Sequence, residues 1–428
     1  MKYIAEAARE TPVYGEFDVV VCGGGTAGAA AALCAARSGV SVLLLERYGY
    51  LGGLATGGLV ITVPPLDNGI NVEIRKQLQA ARTYQLCPNS GDDDPAVDGL
   101  IAVDPEVLKF EFVRLLLDAG VKLLLHSYVV QSLTDDDGRI TGVIVENKGG
   151  RMAIRAGIVV DATGDGDAAA SAGAVFEMEA DPLPITLMSN LIGVDSERAI
   201  AQLGSWARLR TVIEHARDRG ELKFDLEVHS KGFAPGVFAA DLCYPGEVNL
   251  WSGSLFGVNA LDPDQLTTAE IVTREHTMRL VEFLKRNVAG FENVRIEYTA
   301  SQIGVRETRR VVGGYTPTLR EVFHERFTDA VAKPYATREM RIPYRSLVPQ
   351  GVDNLLIAGR CMSAEQQAMV QLRLIPVCLA TGQAAGTAAA LAVRDGVTPR
   401  ELDVALLQSD LEDQGVDLGL PETSAVSG

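Results

Sequence analysis

Two groups of residues carry most of the chemical information in this chain of 428 residues. The first is the run Gly23-Gly24-Gly25-Thr26-Ala27-Gly28, with Glu46 placed 46 − 28 = 18 residues beyond it. In such a run Gly23 allows a tight turn, Gly25 lets the backbone approach a diphosphate, and Gly28 lets a helix pack closely on its strand. Thr26 and Ala27 then stand at the first turn of that helix, whose free N–H groups and positive dipole end suit a phosphate. A carboxylate at Glu46 accepts hydrogen bonds from a ribose diol and disfavours a 2′-phosphate. A second glycine-dense loop, YGYLGGLATGG over residues 48–58, follows directly. A nicotinamide-binding domain normally continues there into another helix, so the loop points to a longer dinucleotide whose ring must thread past the backbone. The plainer alternatives are a glycine turn with a surface glutamate, and a flexible linker. The spacing, and the Leu51, Leu54 and Thr56 embedded in the loop, argue against both.

The second group is cationic. Residues 295–345 hold nine Arg and one Lys against six acids, a balance of 10 − 6 = +4, in a chain of net charge −17. Arg306, Arg309, Arg310, Arg341 and Arg345 form two clusters, and Arg373 precedes the last long apolar stretch. Planar guanidinium forks suit carboxylate or phosphate, while structural pairing with acids such as Glu307 is the competing use. Arg306, Arg345 and Arg373 are the candidates for contact with a substrate or cofactor. Tyr344, in IPYR, either exchanges a proton or packs beside Pro343. Of the five histidines, His126, His215 and His276 read as structural, and His229 and His324 as candidates to face a pocket. Cys361 and Cys378 flank the same region, but buried thiols are usually inert packing, so a non-covalent cofactor is expected. The chain has no CxxC pair, no HExxH and no nucleophile elbow, which removes the usual sequence support for zinc, iron–sulfur and serine-hydrolase chemistry.

The elements that must hold these residues can be read from pattern. FDVVVC (17–22) is a buried strand running into the glycine turn; an Ala-rich helix follows, closing at Gly39, and VSVLLLE is a second buried strand. Asp104 and Pro105 open a helix as N-cap and first residue. VKLLLH (121–126) is a third strand, residues 127–155 read as a β-meander, and AGIVVDATGDGD (156–167) as a further strand and turn. One amphipathic helix, TTAEIVTREHTMRLVEFLKRNV, stands out in the less regular middle. DNLLIAGR (353–360) and a Gly/Ala helix from Ile375 return to the style of the first unit. The fold class expected is α/β: a Rossmann-like domain (parallel sheet plus β-meander) with an inserted α+β substrate domain. The domains expected are 1–174 with 346–428, and 175–345.

These segments resemble a known family. VVVCGGGTAGAAAALCAARSGVSVLLLERYGYLGGLATGGLV resembles the opening of FAD-dependent oxidoreductases of the glutathione-reductase-like superfamily, and more narrowly the family sharing GGxxAGxxAAxxAARxGxxVxLxExxGxLGGxAT. The likeness continues through DPEVLKFEFVRLLLDAGVKLLLHSYV, FENVRIEYTASQIGVRETRRVVGGY and IPYRSLVPQGVDNLLIAGRCMS. It implies bound FAD. By the resemblance Gly23, Gly25, Gly28 and Glu46 hold the ADP half; Arg47, Gly52, Gly53, Ala55 and Thr56 line the phosphates and flavin; and Val129 or Val130 lies near adenine. Ala162, Thr163, Gly164 and Asp165 close over the nucleotide. Gly359, Arg360 and the helix from Thr381, Gly382 and Gln383 reach the ribityl chain and the pyrimidine end of the ring. A helix N-terminus there would stabilise the negative charge of reduced flavin. Gln366 stands where many relatives carry a His; Gln does not exchange protons near neutral pH, which leaves Glu365 as the proton-transfer candidate.

The function expected is hydride transfer between a small polar or anionic organic substrate and flavin N5, with the electron acceptor undefined. An electron-transfer subunit of a larger redox complex, or a non-catalytic FAD-binding protein, are the alternatives. The bulk acidity disfavours nucleic acid and anionic membrane as partners. With no apolar leader at its start, few cysteines and no uncharged apolar run of spanning length, the chain is expected in the cytoplasm, as a monomer or homo-oligomer.

Overall fold

A computed structural model describes residues 4, 7–89, 99–222 and 236–420. Strand β1 (Val13–Cys22) ends in Val19, Val20, Val21 and Cys22, none of which has exposed surface. A strand covered on both faces reads as a continuous apolar run, which is the pattern of these residues. Helix α1 (Thr26–Arg37) follows, and Gly39 beyond it takes φ +91°. That left-handed conformation is the one glycine supplies just past a helix end. Strand β2 (Val42–Leu45) lies parallel to β1. Helix α2 (Pro105–Asp118) is capped by Asp104, whose carboxylate accepts from the Glu106 and Val107 N–H groups. It leads into β3 (Lys122–Leu124), parallel to β2.

The meander is β4 (Tyr128–Thr134), β5 (Ile140–Asn147) and β6 (Gly150–Asp161). The sequence suggests two strands between 150 and 161, and the structure has one. The first half of β6 pairs antiparallel with β5, while its far edge runs parallel to β1 from Ala153 to Asp161. The strand Leu355–Ile357 then takes the edge that β5 leaves free, pairing in parallel with Val159, Val160 and Asp161. The resulting seven-stranded sheet has the order β3-β2-β1-β6-β5-β4, with the late strand beside β6. One long strand thus joins the parallel layer to the meander, and both ends of the sequence meet on it.

The middle of the chain forms a separate antiparallel sheet. Its strands are β7 (Met188–Ile192), β8 (Val237–Asp241), β9 (Glu247–Ser252) and β10 (Arg295–Thr299), in the order β8-β9-β7-β10. Helix α3 (Pro263–Asn287), capped by Asp262, accompanies it. Trp206, Phe238, Leu250, Leu284 and Phe291 pack into one cluster on this side. Val311, Val322, Val331, Ile342, Tyr344 and Leu347, by contrast, pack with β1, β2 and β6.

Helix α4 (Ile375–Asp395) backs the parallel sheet and crosses α1. A Cβ on Gly382 would overlap the Ala27 carbonyl oxygen, and one on Gly386 would overlap that of Ala31. The two helices therefore meet backbone to backbone. Among the described residues α4 is the helix long and apolar enough to cross a bilayer, and 94% of its apolar window is buried inside the fold. Its apolarity belongs to the core.

Candidate active site

A cavity of about 450 Å3 opens where β1 and β2 end, between the parallel sheet and the segments 260–270 and 302–309. The three motif glycines shape it in three ways. Gly23 has φ +100°, and a Cβ there would come to 2.5 Å from the Ala162 carbonyl oxygen. A Cβ on Gly28 would overlap the Gly23 carbonyl oxygen. Gly25 has no atom within 4 Å of where its Cβ would be, so its backbone lies open to the cavity. Turn, packing and approach are thus separate duties of separate residues.

Glu46, Arg47, Gly53, Ala55, Val129, Ala162, Thr163, Gly164, Asp165, Gly359 and Arg360 line the cavity together with Gly23, Gly25, Thr26 and Ala27. Gly28, Gly52 and Thr56 stand behind the wall and shape it. The Gly52 N–H donates to the Gly24 carbonyl at 2.8 Å, and the Thr56 hydroxyl donates to the Leu51 carbonyl at 2.6 Å. Glu46 accepts from the N–H groups of Gly24 at 2.6 Å and Tyr48 at 2.8 Å, and burial raises its pKa. Val130 faces a smaller adjoining hollow with Tyr128, Val129 and Arg309.

Asp161, at the end of β6, fixes the next wall. Its carboxylate accepts from Thr163 N–H at 3.0 Å and Ala169 N–H at 2.8 Å, and burial pushes its pKa up to about 6. Asp165 then pairs with Arg360 Nη2 at 3.0 Å and accepts from the Thr308 hydroxyl at 2.8 Å. Burial alone would raise the Asp165 carboxyl; the charges of Arg360 and Arg47 and the Thr308 bond outweigh it and hold the group below the usual aspartate value.

Other expected residues lie elsewhere. Thr381, Gly382 and Gln383 sit inside α4 and not at its start, and none of them lines the cavity. Gln383 accepts from Ile70 N–H at 2.9 Å and donates to Gln414 at 3.0 Å; Thr381 accepts from Gly359 N–H at 3.2 Å. The helix opens at Ile375, so Ile375 and Cys378 are its residues on the cavity, with Arg373 just before its start. Tyr344 is buried in the core with its hydroxyl donating to the Pro399 carbonyl at 2.7 Å. Arg345 is exposed and pairs with Asp329 at 2.8 Å. Glu365 is exposed at the start of the helix Gln366–Leu372, and Gln366 donates to Glu307 at 2.9 Å. None of these four faces the cavity. Arg306 is 7% exposed and donates to the Pro184 carbonyl and, at 2.9 Å, to the Thr186 hydroxyl. His324 is exposed and His229 lies outside the described residues. Cys378 does line the wall, but burial pushes its thiol up to about 11, which keeps it protonated and unreactive at neutral pH.

The opposite wall was legible only in part: the sequence marked Arg309 within a cationic cluster, and not the residues around it. Leu261, Leu266 and Glu270 come from α3 and the loop before it; Gln302, Ile303, Val305, Thr308 and Arg309 come from the loop after β10. Arg309 donates to the Asp165 carbonyl at 3.0 Å and pairs with Asp167 at 2.9 Å. The residues present fit a diphosphate-bearing cofactor. Gly25 leaves an open cradle at the α1 N-terminus, and two cavity-lining arginines, at Nη1 of Arg360 and Nε of Arg373, have buried nitrogens with no partner among the described residues. No cluster of three or more His, Cys, Asp or Glu among those residues is arranged to hold a metal ion.

Comparison with known proteins agrees with that fit. The profile of the family described as FAD dependent oxidoreductase matches residues 18–340 and 333–411. The chain belongs to this family. Its cofactor is FAD, and it is an oxidoreductase. It is 32% identical over 191 residues to digeranylgeranylglycerophospholipid reductase 2 of Methanopyrus kandleri, covering 42% of this chain and 46% of that one. It is also 32% identical over 161 residues to thiamine thiazole synthase of Methanococcus aeolicus, covering 35% and 55%. The chain thus spans about half the length of the curated relatives it matches. A geranylgeranyl bacteriochlorophyll reductase-like protein from Thermoplasma acidophilum superposes with a TM-score of 0.52 at 14% identity, over 93% of this chain and 83% of that one. The p-nitrophenol 4-monooxygenase of Pseudomonas putida superposes with a TM-score of 0.53 at 14% identity, over 94% and 85%. These likenesses establish the shared fold, a mixed α/β architecture with a Rossmann-like FAD-binding sheet.

Proposed function

We propose that this FAD-dependent oxidoreductase catalyses hydride transfer between a small polar organic molecule and the flavin. The observation that carries the reading is the continuity of one cavity from the nucleotide cradle at Gly25 to Arg373 and Ile375 at the start of α4. The flavin, when bound, accepts or donates the hydride; the chain supplies position and surroundings. Glu46 is placed to take the ribose hydroxyls, the α1 N-terminus the diphosphate, and the first turn of α4 offers its positive end to the far part of the cavity. Leu261, Leu266, Ile303 and Val305 supply an apolar wall that keeps water from the reacting centre. Among the described residues the carboxylates on the cavity are Glu46, Asp165, Asp167 and Glu270, and these are the candidates to take the substrate proton.

The same reading assigns residues 1–174 and 346–428 to an FAD-binding unit and 175–345 to a substrate unit, with residues 311–345 lending their apolar side chains to the core of the first. It keeps the glutathione-reductase-like superfamily as the wider kinship and the cytoplasm as the location. It takes nucleic acid and anionic membrane to be disfavoured as partners on charge, and the electron acceptor is left to experiment. The test is direct. Purified protein should carry FAD, and its visible absorbance should bleach anaerobically with one member of a panel of hydroxy acids, amines and sugars. Protein that takes up no FAD, or whose flavin no such compound reduces or reoxidises, refutes the proposal.

A further inference from the structure

The hollow beside the cavity measures about 420 Å3 and shares Tyr128, Val129, Asp167 and Arg309 with it. Two residues of its lining, Tyr128 and Ser171, are exposed. The hollow therefore opens to solvent on one side and to the cavity on the other, and the shared residues frame the passage between them. Tyr128 and Val129 come from the start of β4. Asp167 follows the Asp165 loop, and Arg309 comes from the opposite wall. A pair of opposite charges crosses this frame. Arg309 Nη1 donates to the Asp167 carboxylate at 2.9 Å and to the Asp165 carbonyl at 3.0 Å. Beside it the Thr308 hydroxyl donates to the Asp165 carboxylate at 2.8 Å, and the Arg309 guanidinium lies over the Phe176 ring, 5.5 Å from its centroid.

The segment that carries Arg309 is held differently at its two ends. At the near end the ties are main-chain. The Ser301 and Gln302 N–H groups donate to the Gly57 carbonyl at 2.8 and 3.2 Å, and Gly304 exchanges main-chain bonds with Thr186 at 2.9 and 3.2 Å. At the far end Thr308 and Arg309 reach the Asp165 loop through their side chains. A side chain can change rotamer without breaking main-chain pairing, and does so quickly where water reaches it. The Arg309 end is therefore where the wall opens at least cost.

We propose that the Arg309–Asp167 pair is a bar across the passage between the two hollows, and that FAD enters and leaves when the Arg309 side chain swings aside. The proposal concerns exchange of the cofactor and is independent of the substrate and reaction given above. Both ends of the bar are groups of the chain, so it slows passage in both directions alike. Removing it speeds association and dissociation by the same factor and leaves the affinity in place. A residue that grips the cofactor behaves otherwise: its loss speeds dissociation and weakens the affinity by that factor.

The experiment measures both rates by flavin fluorescence, loading stripped protein with FAD in a stopped-flow instrument and diluting the loaded protein. In Arg309→Met both rates should rise about fivefold or more, with the dissociation constant within about threefold of wild type. Asp167→Asn should do the same, and the double variant should add nothing further, because each change removes one end of the same bar. Arg345→Met, whose pair with Asp329 is exposed and away from the cavity, should change neither rate. Thermal melting confirms that each variant is folded. If Arg309→Met does not fold, Arg309→Gln, neutral and polar, takes its place. A rise in dissociation alone, matched by weaker affinity, overturns the proposal and assigns Arg309 to the grip on FAD. Rates that stay unchanged or fall overturn it, and so do fully additive effects in the double variant. A change in Arg345→Met as large as in Arg309→Met also overturns it, because the effect would then be a general loosening of the fold.

Discussion

The two walls of the cavity are built from different material. On the side of residues 23–28 the wall is main chain: a turn at φ +100°, a helix start, and positions where any Cβ would collide or would fill the cradle. On the side of residues 302–309 the wall is side chain, with Thr308 and Arg309 reaching across to the Asp165 loop. A main-chain wall admits only glycine at fixed spacing and so is written in the sequence. A side-chain wall is set by partners far away in the chain, so it shows in the sequence as a local excess of arginine and not as a spaced motif.

That contrast is sharpest at the glycines. Gly28→Val should cost the most, because its Cβ meets the Gly23 carbonyl and both belong to the core; we expect a loss of about 3 kcal/mol or more with loss of FAD, read by denaturant unfolding and flavin content. Gly25→Ala should leave the unfolding curve in place and lower only FAD affinity, since nothing surrounds that position but the cavity. Equal destabilisation by both would mean that the wall is rigid throughout and the division of duties is wrong.

At the loop that the side-chain wall reaches, Asp165→Ala strips Arg360 of its carboxylate and should destabilise the protein by about 3 kcal/mol. Because the native Asp165 pKa lies below the free value of 3.8, its contribution is present above that value and is lost as the pH falls through the lower, folded one. The acid limb of the stability curve should therefore flatten in the variant. Gly382→Ala, which forces α4 off the Ala27 carbonyl, should cost about 1–3 kcal/mol and shift the melting temperature, with a secondary loss of FAD. Arg345→Ala should change stability by less than about 1 kcal/mol and leave turnover alone, because the pair with Asp329 is exposed. A large loss of activity there would return Arg345 to the site.

Legibility followed the same division. β1, α1, β2 and the glycine spacing could be read because local pattern and tertiary role coincide. The start of α4 was visible too, yet its contact with the cavity was assigned to Thr381, Gly382 and Gln383, which instead serve the crossing with α1 and the tie to Ile70. Tyr344 and Arg345 attract notice as an aromatic and a cation side by side. Their partners, Pro399 and Asp329, stand 55 residues ahead and 16 behind, distances over which no periodicity speaks. The single strand β6 was divided in expectation because its partner changes halfway, from β5 to the strand Leu355–Ile357, while its own residues continue unbroken.

The crossing of α1 and α4 has a consequence in time. Ala27 and Gly382 touch across 382 − 27 = 355 residues of chain. During synthesis the phosphate turn emerges early and the helix that braces it emerges only after those residues have been made. Closing so long a loop is among the slow steps of folding. The cradle therefore becomes firm late, and capture of FAD reports that the chain has been extended and folded as far as α4. An interrupted chain would carry the glycine signature in full, with its ties to Glu46 and Gly52, and still lack the helix that braces α1.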